Sequence, residues 1–374
     1  MNIEFLKYLK ENPIKYGDIY EFKTLKERIN RSIDRVKQGF NPFLKIFILL
    51  IKETTVKTFN HQKSFMLPLP LSMTLKKVLI TGSNGLLGQK LIDLYLTKSD
   101  KQIIATAIGE CRHPLKDNFT YESLDITNKN EVDAIITKYQ PHCVINTAAM
   151  TNVDACETDK EGCDNLNIAA VEYLAKACDS IHAQFIHIST DFIFDGSHGP
   201  LDENEKPNPL SYYGLSKLKG EEMAMQYAKS YTILRTVLVY GVVADMSRSN
   251  IVLWAKGALE KGNNIKVVDD QFRTPTLAED LAMGCYLAEN QNAQGIYNIS
   301  GKDFMSILEL VNRVADFFGL DKSIVQKSDS STLNQPAKRP PITGFIIQKA
   351  IKELGYNPHS FEEGLALVKK QLEN

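Results

Sequence analysis

Short apolar runs alternate along this chain with longer segments in which apolar side chains recur every three or four residues, starting near residue 76. A short apolar run predicts a strand, whereas the wider spacing predicts a helix that buries one face. Strands are predicted at 78–80, 103–107, 142–149, 184–189, 232–240 and 295–299. Helices are predicted after the first strand and at 130–139, 161–180 and 211–229. This alternation indicates an α/β fold built on a doubly wound parallel sheet.

The pattern divides the chain into three segments. Residues 73–241 contain most of the alternating elements and predict a Rossmann-type dinucleotide-binding domain. Residues 242–374 are less regular and predict a smaller C-terminal substrate-binding lobe, with 295–300 returning to the Rossmann sheet. Residues 1–72 stand apart as an N-terminal extension.

The extension has two interpretations. Residues 25–51 have the spacing of a basic amphipathic helix, which favours a membrane-surface or partner-binding element. Alternatively, the true start of the protein is Met66 or Met73, and the residues before it come from an upstream start codon. We expect the chain from Met73 onward to fold without it.

A glycine-rich turn follows the first strand, with Gly82, Gly85 and Gly88 spaced three apart. Glycines let the backbone turn sharply and approach a ligand closely, and the following helix N-terminus offers unpaired N–H groups to a pyrophosphate. The turn therefore predicts a dinucleotide site, and a tight strand-to-helix connection without a ligand is the alternative. The intervening residues expected to line this site are Asn84, Leu86 and Leu87.

Composition limits the partners. The chain has 374 residues, 43% hydrophobic and 24% charged, which is typical of a globular protein with ample core. Its net charge of -1 combines +6 in residues 1–72 with -7 in the remainder, so the main body is not expected to bind nucleic acid. The six cysteines include no C-x-x-C pair and indicate reduced thiols in a cytoplasmic protein. The sequence shows no transmembrane segment or signal peptide and specifies no metal site, and an Mg²⁺ requirement cannot be read from it.

Candidate chemistry lies further along the chain. Tyr213 and Lys217 are four residues apart on a predicted helix and share one face. The ammonium is expected to lower the pKa of the phenol, which would donate a proton to a carbonyl under reduction. Ser189 and Thr190 end a predicted strand, where a hydroxyl can hold that carbonyl. The alternatives are a surface Tyr/Lys pair and hydroxyls that cap a turn.

These motifs, in this order, resemble those of extended short-chain dehydrogenases/reductases, and within them dTDP-4-dehydrorhamnose reductases. The resemblance covers nearly all of residues 76–372 and leaves 1–72 uncovered. It rests on the glycine turn, the stretch 146–149 (NTAA), the stretch 189–196 (STDFIFDG), Tyr213-x-x-x-Lys217, and the stretches 234–241 (LRTVLVYG), 270–276 (DQFRTPT) and 338–341 (KRPP).

The resemblance implies NAD(P)H-dependent reduction of the 4-keto group of a nucleotide-linked 6-deoxyhexose, in nucleotide-sugar and surface polysaccharide synthesis. Thr190 would hold the sugar oxygen with Ser189 in support, Tyr213 would protonate it, and Lys217 would assist Tyr213 and bind the cofactor ribose. Further cofactor contacts implied by the resemblance are Asp125 and Ile126 on the adenine side and Ala148 and Ala149 near the sheet.

Two departures from the family pattern bear on the substrate. Val237 and Leu238 stand where family members often have Ser-Trp, so an aromatic surface is missing. Arg273 stands where a small residue is usual, and it would bind a diphosphate or pair with a carboxylate. Arg339 has the same two interpretations, and by analogy both arginines are assigned to substrate.

The cofactor choice depends on the end of the second strand. Glu110 would bind a ribose 2′-hydroxyl and favour NADH, whereas Arg112 would accept a 2′-phosphate and favour NADPH. His113 follows Arg112 directly, so the sequence favours NADPH over NADH.

Two other functions fit the same motifs. One is a nucleotide-sugar epimerase or dehydratase of the same superfamily, although Asp191 after Thr190 does not by itself supply the extra acid or base that a dehydratase needs. The other is a non-catalytic NADP-binding regulatory subunit, like that of methionine adenosyltransferase. A homodimer of this protein is also expected.

Overall fold

The computed structural model describes residues 76–246, 249–332 and 335–373. The predictions made for residues 1–72 lie outside this part of the chain. The described strands are β1 (Lys77–Thr81), β2 (Gln102–Ala107), β3 (Thr120–Ser123), β4 (Cys143–Asn146), β5 (Gln184–Thr190), β6 (Tyr231–Thr236), β7 (Val239–Tyr240), β8 (Ile265–Val268), β9 (Phe272–Arg273), β10 (Thr276–Leu277), β11 (Gly295–Asn298), β12 (Met305–Ser306) and β13 (Val325–Ser328).

The described α-helices are α1 (Leu86–Lys98), α2 (Lys129–Tyr139), α3 (Val153–Thr158), α4 (Lys160–Asp164), α5 (Ala170–Ser180), α6 (Tyr212–Tyr227), α7 (Ile251–Glu260), α8 (Ala278–Asn290), α9 (Ile307–Phe318), α10 (Gln348–Leu354) and α11 (Phe361–Leu372). A π-helical turn (Asn165–Ala169) joins α4 to α5, and short 3₁₀ turns lie at Lys116–Asn118, Asp191–Ile193 and Ser330–Thr332.

Seven strands form one parallel sheet in the order β11-β6-β5-β4-β1-β2-β3. The chain winds outward in one direction from β1 through β3 and in the other from β4 through β11. The carboxyl ends of β1 and β4 therefore border the crevice where a ligand binds in such sheets. Both the glycine turn after β1 and the hydroxyl residues that end β5 lie on this edge.

Helices cover both faces of the sheet, as the alternating pattern predicts. Val78 and Ile80 of β1 are in a core with α1 and α8, whereas Leu79 between them is in a second core with α2, α5 and α6. Successive side chains of a strand point to opposite faces, so a strand buried on both faces must be apolar throughout. The doubly wound Rossmann-type fold is thus confirmed.

The C-terminal region contributes to two places. Val252 of α7, Val267 of β8, Leu310 of α9 and Leu365 of α11 form a third core, which is that of the smaller lobe. In contrast, α8 packs against α1 and β11 pairs with β6 in the main sheet. The lobe is therefore smaller than the predicted 242–374 and is discontinuous in sequence.

The structure differs from the predicted elements at two points. The strand predicted at 232–240 is two strands, because Leu238 adopts a positive φ of 42° that ends the extended backbone. The helix predicted at 161–180 is interrupted by the π turn. A positive φ and a π turn change the backbone without changing the spacing of apolar residues, so hydrophobic spacing gave no sign of either.

No helix within the described ranges is long and apolar enough to cross a membrane. All six cysteines are free thiols, and five of them are buried.

Candidate active site

The glycine turn brings three backbone segments into contact. Gly82 has a φ of 64°, and a Cβ there would lie 2.8 Å from the backbone nitrogen of Ala148 in the loop after β4. A Cβ on Gly88 would lie 2.5 Å from the carbonyl oxygen of Gly82. In contrast, a Cβ on Gly85 would meet one atom, the Gly82 oxygen at 3.2 Å. Gly82 and Gly88 are thus required by packing, whereas Gly85 has an open side.

The N-terminus of α1 is suited to an anion. Gly85 is its N-cap, no side chain accepts a hydrogen bond there, and the first turn contains no acidic residue. The first N–H groups of a helix have no partner within it and carry the positive end of the helix dipole. Ser83, in the same turn, has a buried hydroxyl without a hydrogen-bond partner in the described residues. Leu86 and Leu87 follow on the first turn, both partly buried.

Asn84 fixes the loop after β2 to the glycine turn. Its Nδ2 donates to the carbonyl oxygen of Glu110 at 2.8 Å, and its Oδ1 accepts the backbone N–H of Arg112 at 2.9 Å. The Arg112 side chain stays half exposed, with its Nη1 3.8 Å from Asp245 Oδ2. His113 instead turns inward, buried against Asp93. Of this basic pair, only Arg112 is accessible to a ligand.

Tyr213 is placed by the close approach of α6 to the turn after β5. Ser211 caps α6 by accepting the N–H of Gly214 at 3.2 Å. A Cβ on Gly214 would lie 2.1 Å from the carbonyl oxygen of Phe192, so a glycine is required for this contact. As a result, the Tyr213 hydroxyl lies near the side chain of Thr190 at the end of β5, close enough for Thr190 to influence its pKa.

Burial raises the pKa of Tyr213 well above its ordinary value, and the nearby Thr190 side chain only partly offsets this effect. The expectation that Lys217 gives a phenol of lowered pKa is therefore wrong, because desolvation of the phenolate dominates. A phenol with a raised pKa retains its proton, as a proton donor to a carbonyl must.

Lys217 lies one turn further along α6 and is almost fully buried, with 3% of its surface exposed. Its Nζ donates to the carbonyl oxygen of Ile188 at 2.7 Å and lies 3.4 Å from Nε2 of His187. Burial lowers the pKa of Lys217 to about 8, although the Glu221 carboxylate opposes the shift. This lysine is therefore not an ordinary surface residue.

Thr190 and Ser189 differ in their partners. The Thr190 hydroxyl donates to Oδ1 of Asp191 at 3.0 Å. Ser189 is 2% exposed, and its hydroxyl has no hydrogen-bond partner among the described residues. A buried hydroxyl without a partner costs free energy unless a ligand satisfies it, so Ser189 is suited to a ligand contact.

Both arginines assigned to substrate have protein partners. Arg273 Nε lies 3.5 Å from Asp191 Oδ2, and its other nitrogens donate to three backbone carbonyls. Arg339 donates to Asp154 at 2.8 and 3.2 Å and to the Ala337 carbonyl oxygen. In the described structure each arginine therefore pairs with a carboxylate. Arg273 is 3% exposed and is closed to a diphosphate in this arrangement.

The adenine-side residues are arranged unequally. Asp125 lies after β3, and its carboxylate accepts the N–H and the hydroxyl of Thr127 at 2.9 and 2.7 Å. Ile126 is buried in the core with α2, so only its backbone remains for a cofactor. Ala148 and Ala149 lie partly buried beside the glycine turn.

The fold and this arrangement have counterparts among known proteins. The family model described as the RmlD substrate binding domain matches residues 76–374. The chain belongs to the RmlD family. The predicted resemblance to dTDP-4-dehydrorhamnose reductases is thereby confirmed.

Relatives within and around the RmlD family have different named roles. A probable low-salt glycan biosynthesis reductase from Haloferax volcanii is 29% identical over 291 residues, which are 77% of this chain and 96% of the relative. Methionine adenosyltransferase 2 subunit beta from Danio rerio is 31% identical over 270 residues, 71% of this chain and 81% of that protein. The crystal structure of dTDP-4-dehydrorhamnose reductase from Bacillus anthracis in complex with NADP has 26% identity and a TM-score of 0.68, and the match covers 80% of this chain and 100% of that one.

The site of this RmlD family member fits a nicotinamide dinucleotide. The uncapped N-terminus of α1, the open side of Gly85 and the unpartnered hydroxyl of Ser83 meet at the crevice expected to hold the pyrophosphate. In the described part of the chain, no group of three or more His, Cys, Asp or Glu side chains could hold a metal ion.

Sequence reasoning missed three buried polar residues of the site, Asn146, His187 and Asp191. The motifs include Asn146 and Asp191 but assign neither of them a role in the site. His187 could have been predicted as a site residue, because it lies two residues before Ser189 on β5 and therefore faces the same side of the sheet. A titratable residue on the same face as a candidate site residue is the sequence feature that indicates this.

Proposed function

We propose that this protein catalyses the NAD(P)H-dependent reduction of the 4-keto group of a nucleotide-linked deoxysugar, in nucleotide-sugar synthesis for surface polysaccharide. One observation carries the proposal. The hydroxyl of Tyr213 lies near that of Thr190 at the carboxyl edge of the sheet, with Lys217 buried one turn behind. Membership of the RmlD family and the named activity of the Bacillus anthracis protein support it.

The bound nicotinamide would supply hydride to the sugar carbon. Tyr213 retains its proton at neutral pH, because burial raises the pKa of its phenol. It therefore acts as the general acid that protonates the carbonyl oxygen. The unpartnered Ser189 hydroxyl would hold that oxygen by donating a hydrogen bond, and Thr190 would do the same by turning its hydrogen from Asp191 to the ligand. Lys217 would bind the ribose and assist Tyr213 from one turn away.

The preferred cofactor is NADPH. Asn84 holds the backbone of Arg112 against the glycine turn, while the guanidinium stays half exposed. A guanidinium forms strong bidentate hydrogen bonds with a phosphate, which supports a contact with the 2′-phosphate. The NADP bound by the Bacillus anthracis protein agrees with this choice. NADH remains the alternative, through Glu110.

A regulatory subunit is the second candidate, because the Danio rerio relative is a subunit of methionine adenosyltransferase. In that case the chain would bind the dinucleotide without reducing a sugar. The homodimer and the cytoplasmic location stay predictions. A dehydratase finds less support, because Asp191 is engaged by Arg273, Thr190 and Thr343.

The test measures oxidation of NADPH and NADH with dTDP-4-dehydrorhamnose and with other 4-keto nucleotide sugars. Tyr213→Phe should lower kcat by about 10²- to 10⁴-fold, as expected for loss of a general acid. Tyr212→Phe is the matched control, because its hydroxyl donates to Asp164 at 2.8 Å, away from Thr190. If the wild type binds NADPH but reduces none of the sugars, the reductase proposal fails and the subunit proposal gains.

A further inference from the structure

Four buried polar side chains form a row from the glycine turn to α6. Thr81 ends β1, Asn146 ends β4, His187 lies in β5 and Lys217 lies in α6. Thr81 Oγ1 is 2.6 Å from Asn146 Oδ1, Asn146 Nδ2 is 3.2 Å from His187 Nδ1, and His187 Nε2 is 3.4 Å from Lys217 Nζ. Each residue is at most 3% exposed, so the row is closed to bulk water.

The hydrogen positions in this row follow from its first member. Among the described residues, the Thr81 hydroxyl has one acceptor within reach, the Oδ1 of Asn146. The amide of Asn146 therefore turns its Nδ2 toward His187, whose Nδ1 must accept. A neutral imidazole that accepts at Nδ1 carries its hydrogen on Nε2, the atom that faces Lys217.

We propose that His187 is a positioning residue that sets the charge of Lys217, because Asn146 and Thr81 hold its ring as the tautomer that presents a donor to the lysine nitrogen. A neutral amine can accept that hydrogen through its lone pair, whereas an ammonium has only donors. The network therefore lowers the pKa of the lysine. The catalytic value of this effect rests on the proposed function, but the tautomer and the lysine charge do not.

The other groups around Lys217 leave this control in place. The Glu221 carboxylate, one turn further along α6, raises the pKa of the lysine, and Arg235 of β6 pairs with this carboxylate through bonds of 2.9 and 2.7 Å. Cys163 of α4 also raises the pKa of the lysine, whereas burial keeps Tyr213, one turn earlier, protonated. Burial lowers the pKa of His187 well below its ordinary value, and the Lys217 charge adds to the effect. The imidazole is therefore neutral.

An amine that changes charge near neutral pH suits a site that moves a proton in every cycle. Tyr213 gives up its proton to the sugar oxygen and must recover one. A lysine with a pKa of about 8 can take up and release a proton on that timescale, whereas an ordinary lysine stays charged.

The experiment uses the full-length protein without substrate. Long-range ¹H–¹⁵N spectra report which nitrogen of His187 carries hydrogen, and ¹³Cε-lysine spectra over a pH series report the Lys217 pKa, with Lys217→Met to assign the signal. His187→Asn retains a group near the Nδ1 position but cannot reach the lysine. Thr81→Val frees the Asn146 amide to turn, so that the ring can move its hydrogen to Nδ1. His142→Asn is the control, since His142 pairs with Glu289 before β4.

We expect hydrogen on Nε2 in the wild type, and a rise of about one unit in the Lys217 pKa in both His187→Asn and Thr81→Val. The control should leave that pKa unchanged. Hydrogen on Nδ1 in the wild type, or an unchanged Lys217 pKa in Thr81→Val, would overturn the proposal even if His187→Asn fails to fold. If the wild type shows these shifts but is inactive, the reductase function is overturned, whereas the proposed control of the Lys217 charge by His187 stands.

Discussion

Arg273 and Asp191 form a buried ion pair, with Nε of the arginine 3.5 Å from Oδ2 of the aspartate. Asp191 also accepts the hydroxyl hydrogens of Thr190 and Thr343. Burial raises the pKa of Asp191, and the arginine charge opposes that rise. The arginine that departs from the family pattern thus orients the carboxylate that binds the hydroxyl of Thr190.

Arg273→Met should therefore destabilise the protein by about 3–5 kcal/mol, because it leaves Asp191 buried without its charge partner. Urea unfolding measures this cost, and the double variant Arg273→Met with Asp191→Asn should recover most of it. Arg313→Met is the control, since its pairing with Glu362 lies at the surface and should cost under about 1 kcal/mol. Equal effects of the two single variants would contradict the buried-pair interpretation.

Gly85→Val should weaken NADPH binding while the protein stays folded. The valine side chain would occupy the open side of the turn, where the pyrophosphate is expected. Fluorescence titration with NADPH and thermal unfolding separate the two effects. Gly88→Val is the contrast, because its Cβ would lie 2.5 Å from a backbone oxygen and should lower Tm sharply. Unchanged affinity in Gly85→Val would refute the assigned site.

Arg112→Ala should raise the Kd for NADPH by about 10- to 100-fold and leave that for NADH nearly unchanged. The expected factor corresponds to loss of a hydrogen bond to a charged phosphate, about 1.5–3 kcal/mol. Lys116→Ala removes the same charge from an exposed position in the same loop and serves as the control. Weakening of both cofactors by the same factor would exclude a contact with the 2′-phosphate.

Lys217→Met should be inactive yet more stable than the wild type at neutral pH. The lysine pKa falls from about 10.4 when unfolded to about 8 when folded, so charging it in the folded state costs about 3 kcal/mol. Below about pH 8 the wild type bears this whole cost. Its stability then rises between about pH 8 and 10.4, because the unfolded chain binds more protons there.

The difference in the free energy of unfolding between Lys217→Met and the wild type should accordingly become smaller as the pH rises. Urea unfolding at about pH 7 and about pH 9.5 measures it. Lys229→Met, at an exposed position, should show no such gap. A variant that is less stable than the wild type at neutral pH would show that the buried charge is already compensated.

Hydrophobic spacing predicted most of the sheet and both helical layers, because residues such as Leu79 and Ile80 follow the same burial rule in any fold of this class. It did not predict the break at Leu238, since a positive φ leaves no trace in polarity. The motifs also singled out Thr190, Tyr213 and Lys217, whose catalytic roles stay predictions. The predicted direction of the Tyr213 pKa shift is wrong because sequence spacing gives the distance between Tyr213 and Lys217 along a helix but does not show how deeply they are buried.

The roles of Arg273 and Arg339 show the same limit. Residue type indicated a cation that suits either a phosphate or a carboxylate, and the choice depends on which chain segment is folded beside it. Asp191 and Asp154 lie 82 and 185 residues away in sequence from the arginines that they pair with. Contacts of this length are set by tertiary folding and cannot be read from local pattern.

The π turn at Asn165–Ala169 amounts to one residue more than a regular helix needs. It carries Asn167, whose amide binds the backbone of Met150 beside the cofactor crevice and the hydroxyl of Ser216 between Tyr213 and Lys217. Shortening this turn by one residue would yield an unbroken helix with a better local geometry. It would also rotate Asn167 by about 100° and so break its bonds to Met150, in the loop after β4, and to Ser216 of α6. In this segment a helical irregularity joins the loop after β4 to α6, and a regularised design would lose that connection.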